Sequence, residues 1–552
     1  MPTYHTLGSS RDGQRGGALL VMLVILVIGI TTAFVTSLSS TAISNQRNQT
    51  TAEALAQAKE ALIGYAVTKT DYPLGNLPCP DTDDDGTSDA GGSTECPQYI
   101  GRLPWKTLGL PDLRDSTGER LWYTLSRNVR RYASVRPLNS DTAGTLNVTG
   151  TKTENNLIAI VFSPGSNVGT QSRSTTQTTF CTTTNTTILE SRCAANYLEG
   201  SNDDPSPGAA PNLNYQNANS GIDFNDQLIS ISHDQIFSTV EKRIGNEIKN
   251  ILNTYYAAWG AFPFAAPFAD PFVSSFTGSA SPATYSGLLP VGNNIMPTWA
   301  NIPTVSFSGS GSYDYCELRS DNAINSRWRC MDIAISTGET ITITGTLNNV
   351  GRGLWRPHNI NNVCEVRARN SSGTTVLATS VLDNVSVTGS LNSNGSATIV
   401  FQARGKAGYA TLQRIELRDI LDFTTDIKSY YNSSPSCPQP STSPVIPAWL
   451  FDDPTDGNNW HQVAYYAVSQ GYAPGGDHTC TTSPCLTVNG QSGGSDKQAV
   501  VVMTGGALAG QTHPQSTIAH YLEGENVTPV DFIYENKTRA STFNDQVIIV
   551  AP

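Results

Sequence analysis

The residues best placed to do chemistry lie in one short segment, Asp81-Thr82-Asp83-Asp84-Asp85-Gly86-Thr87-Ser88-Asp89. Alternate carboxylates followed by Gly match positions 1, 3, 5, 6 and 9 of a twelve-residue calcium loop, and the Thr87 carbonyl falls at the seventh, where a backbone oxygen is used. Carboxylates confined to so short a loop repel one another, and a hard divalent cation with oxygen ligands relieves that repulsion. The expected cofactor is therefore Ca2+, held by Asp81, Asp83, Asp85, Thr87 and Asp89. Gly92 stands where the usual bidentate Glu would be, so Glu95 serves only if the chain bends back. The competing reading is a solvated acidic turn.

Little else in the chain suggests catalysis. His-Glu-x-x-His and phosphate-binding glycine loops are both missing from the sequence. Gly505-Gly506-Ala-Leu-Ala-Gly510 has the wrong spacing for a dinucleotide loop and reads as a turn. His513 and His520 read as surface histidines, and Trp105, Trp122, Trp449 and Tyr465 as core anchors. No enzymatic activity is expected. A net charge of −12 without a Lys/Arg cluster argues against nucleic acid.

Ten cysteines fall mostly in close pairs with no Cys-x-x-Cys, which favours disulfides over zinc and an oxidising compartment over the cytosol. The expected bridges are Cys79–Cys96, Cys181–Cys193, Cys316–Cys330 and Cys480–Cys485, with Cys364–Cys437 by elimination. The first brackets the acidic loop and would hold its ends together.

What carries these groups is read from the N-terminus onward. Arg11 and Arg15 precede Gly16-Gly17, and Ala18 to Leu38 carries no charge. About 20 apolar residues suffice to cross a hydrocarbon core, so the run reads as a single transmembrane helix with its basic flank in the cytoplasm. Helix-compatible sequence continues to about Ala66, with Leu55, Ala58, Leu62 and Tyr65 on one stripe. A cleaved secretory signal is the alternative, disfavoured by the length of the run and its helical continuation.

Gln14-Arg15-Gly16-Gly17-Ala18-Leu19-Leu20 resembles the start of type IV prepilins and type II secretion pseudopilins. The resemblance covers about 50 residues and implies that a prepilin peptidase cuts after Gly16, or else Gly17, and methylates the new N-terminus. It also implies that the helix packs with those of other pilin or pseudopilin subunits. Calcium loops occur in pseudopilin domains, which supports the reading of Asp81–Asp89. One departure matters. The Glu usual at the fifth mature position is replaced by Val21 or Met22, as in minor subunits at a filament tip.

The chain also repeats itself. Tyr197-Leu-Glu-Gly200 recurs as Tyr521-Leu-Glu-Gly524, and Phe224-Asn-Asp-Gln-Leu-Ile229 as Phe543-Asn-Asp-Gln-Val-Ile548, in the same order. The expected fold class is α+β: an N-terminal transmembrane plus amphipathic helix, two tandem pilin-like helix-and-antiparallel-sheet modules, and an inserted β-sandwich. The boundaries are a leader at 1–16, the helix at 17–66, the first module at 67–232, the second module's helix and Pro-rich loop at 233–299, the insertion at 300–435, and the second module's strands at 436–552. The sandwich either only packs or holds a surface carbohydrate or protein.

Together these readings describe a minor pilin or pseudopilin-like subunit, single-pass in the bacterial inner membrane and in contact with its lipid, with an extracytoplasmic domain and an adhesive role at a pilus tip. The rivals are a membrane-anchored surface lectin or enzyme, and an adhesin released by ordinary signal peptidase.

Overall fold

The structure, a computed structural model, describes residues 15–69, 74–89, 95–130, 138–182, 184–203, 214–268, 285–290, 298–320, 326–348, 365–377, 381–391, 396–407, 411–418, 450 and 458–552. Residues 1–14 of the leader, Cys364, Cys437 and Trp449 lie outside this set.

Helix α1 (Arg15–Thr68) has no proline or other interruption over 54 residues. Its last third is amphipathic: Leu55, Ala58, Leu62 and Ala66 are buried at three- and four-residue spacing, and Lys59 Nζ donates to the Ser230 carbonyl at 2.9 Å. Further back, Met22–Ile28 and Ile30 are exposed.

Two expectations fail here. No helix among the described residues is long and apolar enough to cross a membrane. From Gln46-Arg47-Asn48-Gln49 onward the exposed face of the helix is polar. The single-pass inner-membrane placement is thereby corrected. So is the fold class built on a transmembrane helix followed by pilin-like modules, because more of the described residues lie in strands than in helices and the strands are divided among several separate sheets.

The first unit is a sheet centred on a long strand. β1 (Ile100–Arg102), β2 (Trp122–Leu125), β3 (Leu146–Gly150) and β4 (Glu154–Ser163) are followed by the β5–β6 hairpin (Thr178–Cys181, Thr186–Leu189), β7 (Asn214–Asn217) and β8 (Gln227–Ser232). β4 pairs antiparallel with β2, β3 and β8, and β7 joins β3 in parallel. Leu157–Phe162 is apolar throughout because both faces of β4 are covered. Ile158, Ala159 and Val161 join the core that holds the helices, while Leu157, Ile160 and Phe162 pack with Trp122, Tyr197 and Tyr215.

Helix α2 (His233–Trp259) follows directly. A capping box of Ser232 and Gln235 starts it, and Gly260 ends it in the left-handed conformation that a side chain would strain. Ile236, Val240, Ile244, Ile248 and Ile251 are buried.

After β9 (Ser286–Leu288) the chain leaves for ten strands: β10 (Thr298–Trp299), β11 (Thr304–Phe307), β12 (Cys316–Ser320), β13 (Ser326–Ala334), β14 (Thr340–Asn348), β15 (Glu365–Asn370), β16 (Thr375–Leu377), β17 (Leu382–Leu391), β18 (Ala397–Gly405) and β19 (Thr411–Arg418). They form two antiparallel sheets, β10-β14-β18-β17 with β11 beside β14, and β12-β13-β19-β15-β16. Trp328 of β13 lies over Gly345 of β14, where an added Cβ would come within 1.9 Å of the indole. Gly345→Ala should therefore overpack this contact by about 1–3 kcal/mol, read as a lower urea midpoint at unchanged slope.

The second unit closes with β20 (Ala464–Val468), β21 (Thr487–Asn489), β22 (Ala499–Met503), β23 (Ile533–Glu535) and β24 (Gln546–Ala551). Its sheet order β9-β20-β22-β24 reproduces β1-β2-β4-β8, and the parallel pair β21–β23 reproduces β3–β7. The repetition extends to single bonds. Tyr123 Oη donates to the Pro78 carbonyl and Tyr466 Oη to that of Pro263. Gln171 Nε2 donates to Glu199 and Gln511 Nε2 to Glu523, both at 2.7 Å.

Disulfides join Cys79–Cys96, Cys181–Cys193, Cys316–Cys330 and Cys480–Cys485. Peptide mapping without reduction should return these four links.

Candidate functional site

The acidic loop is built on a short backbone pairing. Asp81 N–H donates to the Arg102 carbonyl and Arg102 N–H to that of Asp81, at 3.0 and 2.7 Å, which fixes the loop's start against β1. Asp84 and Gly86, at φ 67° and 87°, then turn the chain. Gly86 is required there, because a Cβ would lie 2.6 Å from the Trp105 indole nitrogen. The Cys79–Cys96 bridge spans the segment.

The five expected ligand residues separate into two groups. Asp81, Asp83 and Asp89 each offer a carboxylate oxygen, and the three oxygens lie within 4.8 Å of one another. Asp81 is buried and accepts from Asp84 N–H and Gly86 N–H, both at 2.7 Å. Its burial pushes the carboxyl up to about 6 against the pull of those two bonds, with Asp84 and Asp89 adding repulsion. Asp89 Oδ2 accepts from the backbone and hydroxyl of Thr82.

Asp85 and Thr87 are engaged with each other instead. Asp85 Oδ1 accepts from the hydroxyl and backbone N–H of Thr87, both at 2.6 Å, which holds its carboxyl below the usual range. Glu95 is committed elsewhere, accepting from Tyr99 Oη at 3.0 Å and pairing with Arg127.

Sequence reasoning passed over the residues that shape the loop from outside. Arg120 donates to Asp84 Oδ1 at 2.9 Å and to its carbonyl at 3.1 Å, while also holding Asp112. Lys106 Nζ caps the Asp85 carbonyl. No periodicity or motif marks these cations as partners of a loop some 20 to 36 positions away. The three converging carboxylates fit a hard, oxygen-seeking cation.

Gly16 and Gly17 stand in the first turn of α1. His513 and His520, read as surface residues, meet: the His513 ring bonds the His520 carbonyl, and its side chain is fully buried.

The chain matches no known protein family, no curated protein and no solved structure.

Proposed function

We propose that this chain is a minor subunit of a type IV pilus or type II secretion-like filament, seated at the tip with an adhesive role. The observation that carries the reading is the division of α1. Its C-terminal third is buried beneath the first sheet, whereas Met22–Ile28, Ile30 and Ile43 lie exposed. Exposed apolar residues over successive turns are costly in water, and helices of neighbouring subunits would cover them. The Gly16-Gly17 junction with its basic flank supports the same reading, and Val21 or Met22 in place of Glu supports the tip position. N-terminal mass analysis of the protein from its native cell should find a chain beginning at Gly17 or Ala18 with a methylated amine. Gly16→Leu should leave the full-length precursor uncut. A mature chain starting beyond residue 35 would sink the proposal.

The proposal includes calcium at Asp81, Asp83 and Asp89, supported by their convergence and by the bridge that already restricts the loop. Thermal unfolding in excess calcium should exceed that in chelator, by about 2.7 kcal/mol when the free ion is a hundredfold above Kd. Asp83→Ala with Asp89→Ala should abolish the difference, whereas Asp85→Ala should retain it. Equal midpoints with calcium and with chelator in the unaltered protein would reduce the segment to an acidic turn.

A further inference from the structure

The two units meet where Ser140-Asp141 of the first touches the start of α2 and the turn Gly505–Thr512 of the second, and a cleft of about 460 Å³ opens along this seam. The approach is close: a Cβ on Gly506 would lie 2.5 Å from the Ser140 carbonyl. Asp141 Oδ1 holds the turn by accepting from Ala507 N–H at 3.1 Å and lies 2.9 Å from His513 Nδ1.

Comparison with the first unit explains the opening. There the equivalent turn is covered by the unit's own β1–β2 connection. Asp115 Oδ2 accepts from Ser163 Oγ at 2.9 Å and Gly165 N–H at 3.0 Å, and Arg173 pairs with Glu119 at 3.2 Å. In the second unit the β9–β20 connection departs into the inserted strands, and His513 stands in the place of Arg173 and turns to Asp141 of the other unit.

The walls of this cleft are short of donors. His233 Nε2 lies 2.8 Å from the Ser140 carbonyl, which only accepts, so Nε2 carries the proton. The ring's Nδ1 lies 3.3 Å from Asp234 Oδ1, and the exposed Asp234 side chain keeps its second carboxylate oxygen to accept from an occupant. Asn544 donates its amide to the Gly506 carbonyl at 2.7 Å, while its buried Oδ1 receives no hydrogen bond. An occupant must bring donors. Asp141 and Asp234 disfavour an anion, and the exposed amide of Asn156 at the rim both donates and accepts, as hydroxyl groups require.

We propose that the seam cleft binds a small neutral polyol, a mono- or disaccharide, through Asp234, His233 and Asn156. Its volume is within the range of small-ligand sites. This goes beyond the filament reading and stands without it.

Calorimetry on the full chain with glucose, galactose, N-acetylglucosamine, lactose, cellobiose and chitobiose, and separately with putrescine, tests it. At least one sugar should bind saturably. Asp234→Asn should weaken that sugar about tenfold by removing a charge-assisted bond. Asn156→Gly, which retains the left-handed backbone at φ 56°, should weaken it as well, with thermal midpoints unchanged in both variants. The proposal is overturned if no sugar saturates, if both variants bind as the parent does, or if putrescine is the only ligand.

Discussion

Replacing Asp226 and Asp545 by Asn should make the fall in this protein's stability between pH 4 and pH 8 markedly shallower. Each unit buries one Glu and one Asp side by side. Glu199 N–H donates to Asp226 Oδ2 at 2.9 Å, and Glu523 N–H to Asp545 Oδ2 at 3.0 Å. Asn202 and Asn526 add side-chain donors to the same oxygens at 3.0 and 2.9 Å. In return Glu199 Oε2 accepts from Asn225 N–H, and Glu523 Oε2 from Asn544 N–H. The remaining oxygen of each Asp, buried, has no N–H donor, as expected if it carries a proton toward the neighbouring carboxylate. Burial, and then the charge on Glu199, push Asp226 up to about 8; burial and Glu523 push Asp545 well up.

The sign follows from those directions. The unfolded chain releases these protons near pH 4 while the folded chain keeps them, so the contribution to stability is fully present below about pH 4 and declines as pH rises toward 8. The decline should be on the order of 2–4 kcal/mol for the Asp226 pair, with the same sign for the Asp545 pair. Asn supplies an N–H in place of the shared proton at every pH. Urea titrations at pH 5 and pH 8 read the effect directly, and a parent protein equally stable at both would refute the shared proton.

Arg539→Ala should be among the most damaging single changes at neutral or alkaline pH. Glu241 of α2 is fully buried, and Arg539 Nη2 donates to its Oε2 at 2.8 Å. Burial lifts the Glu241 carboxyl to about 7 even with the guanidinium beside it. Removing Arg539 leaves a buried carboxylate without its cation, a loss of about 3–5 kcal/mol. A raised acid is stabilising below its unfolded value and loses that contribution as pH rises through 7, so the damage should shrink at pH 5, where Glu241 is neutral. Glu241→Gln in the Arg539→Ala background should recover much of the loss. Failure of that rescue would show that Arg539 acts through packing alone.

How far the letters foretold these arrangements depends on how local each one is. The four observed disulfides join cysteines at most 17 positions apart, within reach of any hairpin or loop, and spacing alone suggested them. The repeated Tyr-Leu-Glu-Gly and Phe-Asn-Asp-Gln peptides contain the Glu and the Asp of each buried pair. Their recurrence was legible, but their burial was not, because carboxylates beside Gly and Asn read as a solvated turn. In the acidic loop, alternation brings the carboxylates of Asp81, Asp83 and Asp89 together, while the two hydrogen bonds that Asp85 accepts from Thr87 are local details that a ligand pattern does not encode. The apolar run after Gly17 signalled a helix; hydropathy of the letters overstated what that helix spans among the described residues.

The departure of the chain between β9 and β20 has a consequence for how the molecule assembles itself. In the first unit, Arg102 pairs with Trp122 after a detour of about 20 residues, whereas Leu288 must wait for Tyr465, about 180 residues on. For an unstructured chain that longer closure adds about 2 kcal/mol of entropy to the barrier for the second sheet. Folding of the inserted sheets first would draw the two ends together and remove most of that handicap. The order of events during synthesis would then be first unit, insertion, and second unit last, with β20 arriving on an edge strand, β9, that has been exposed since it emerged.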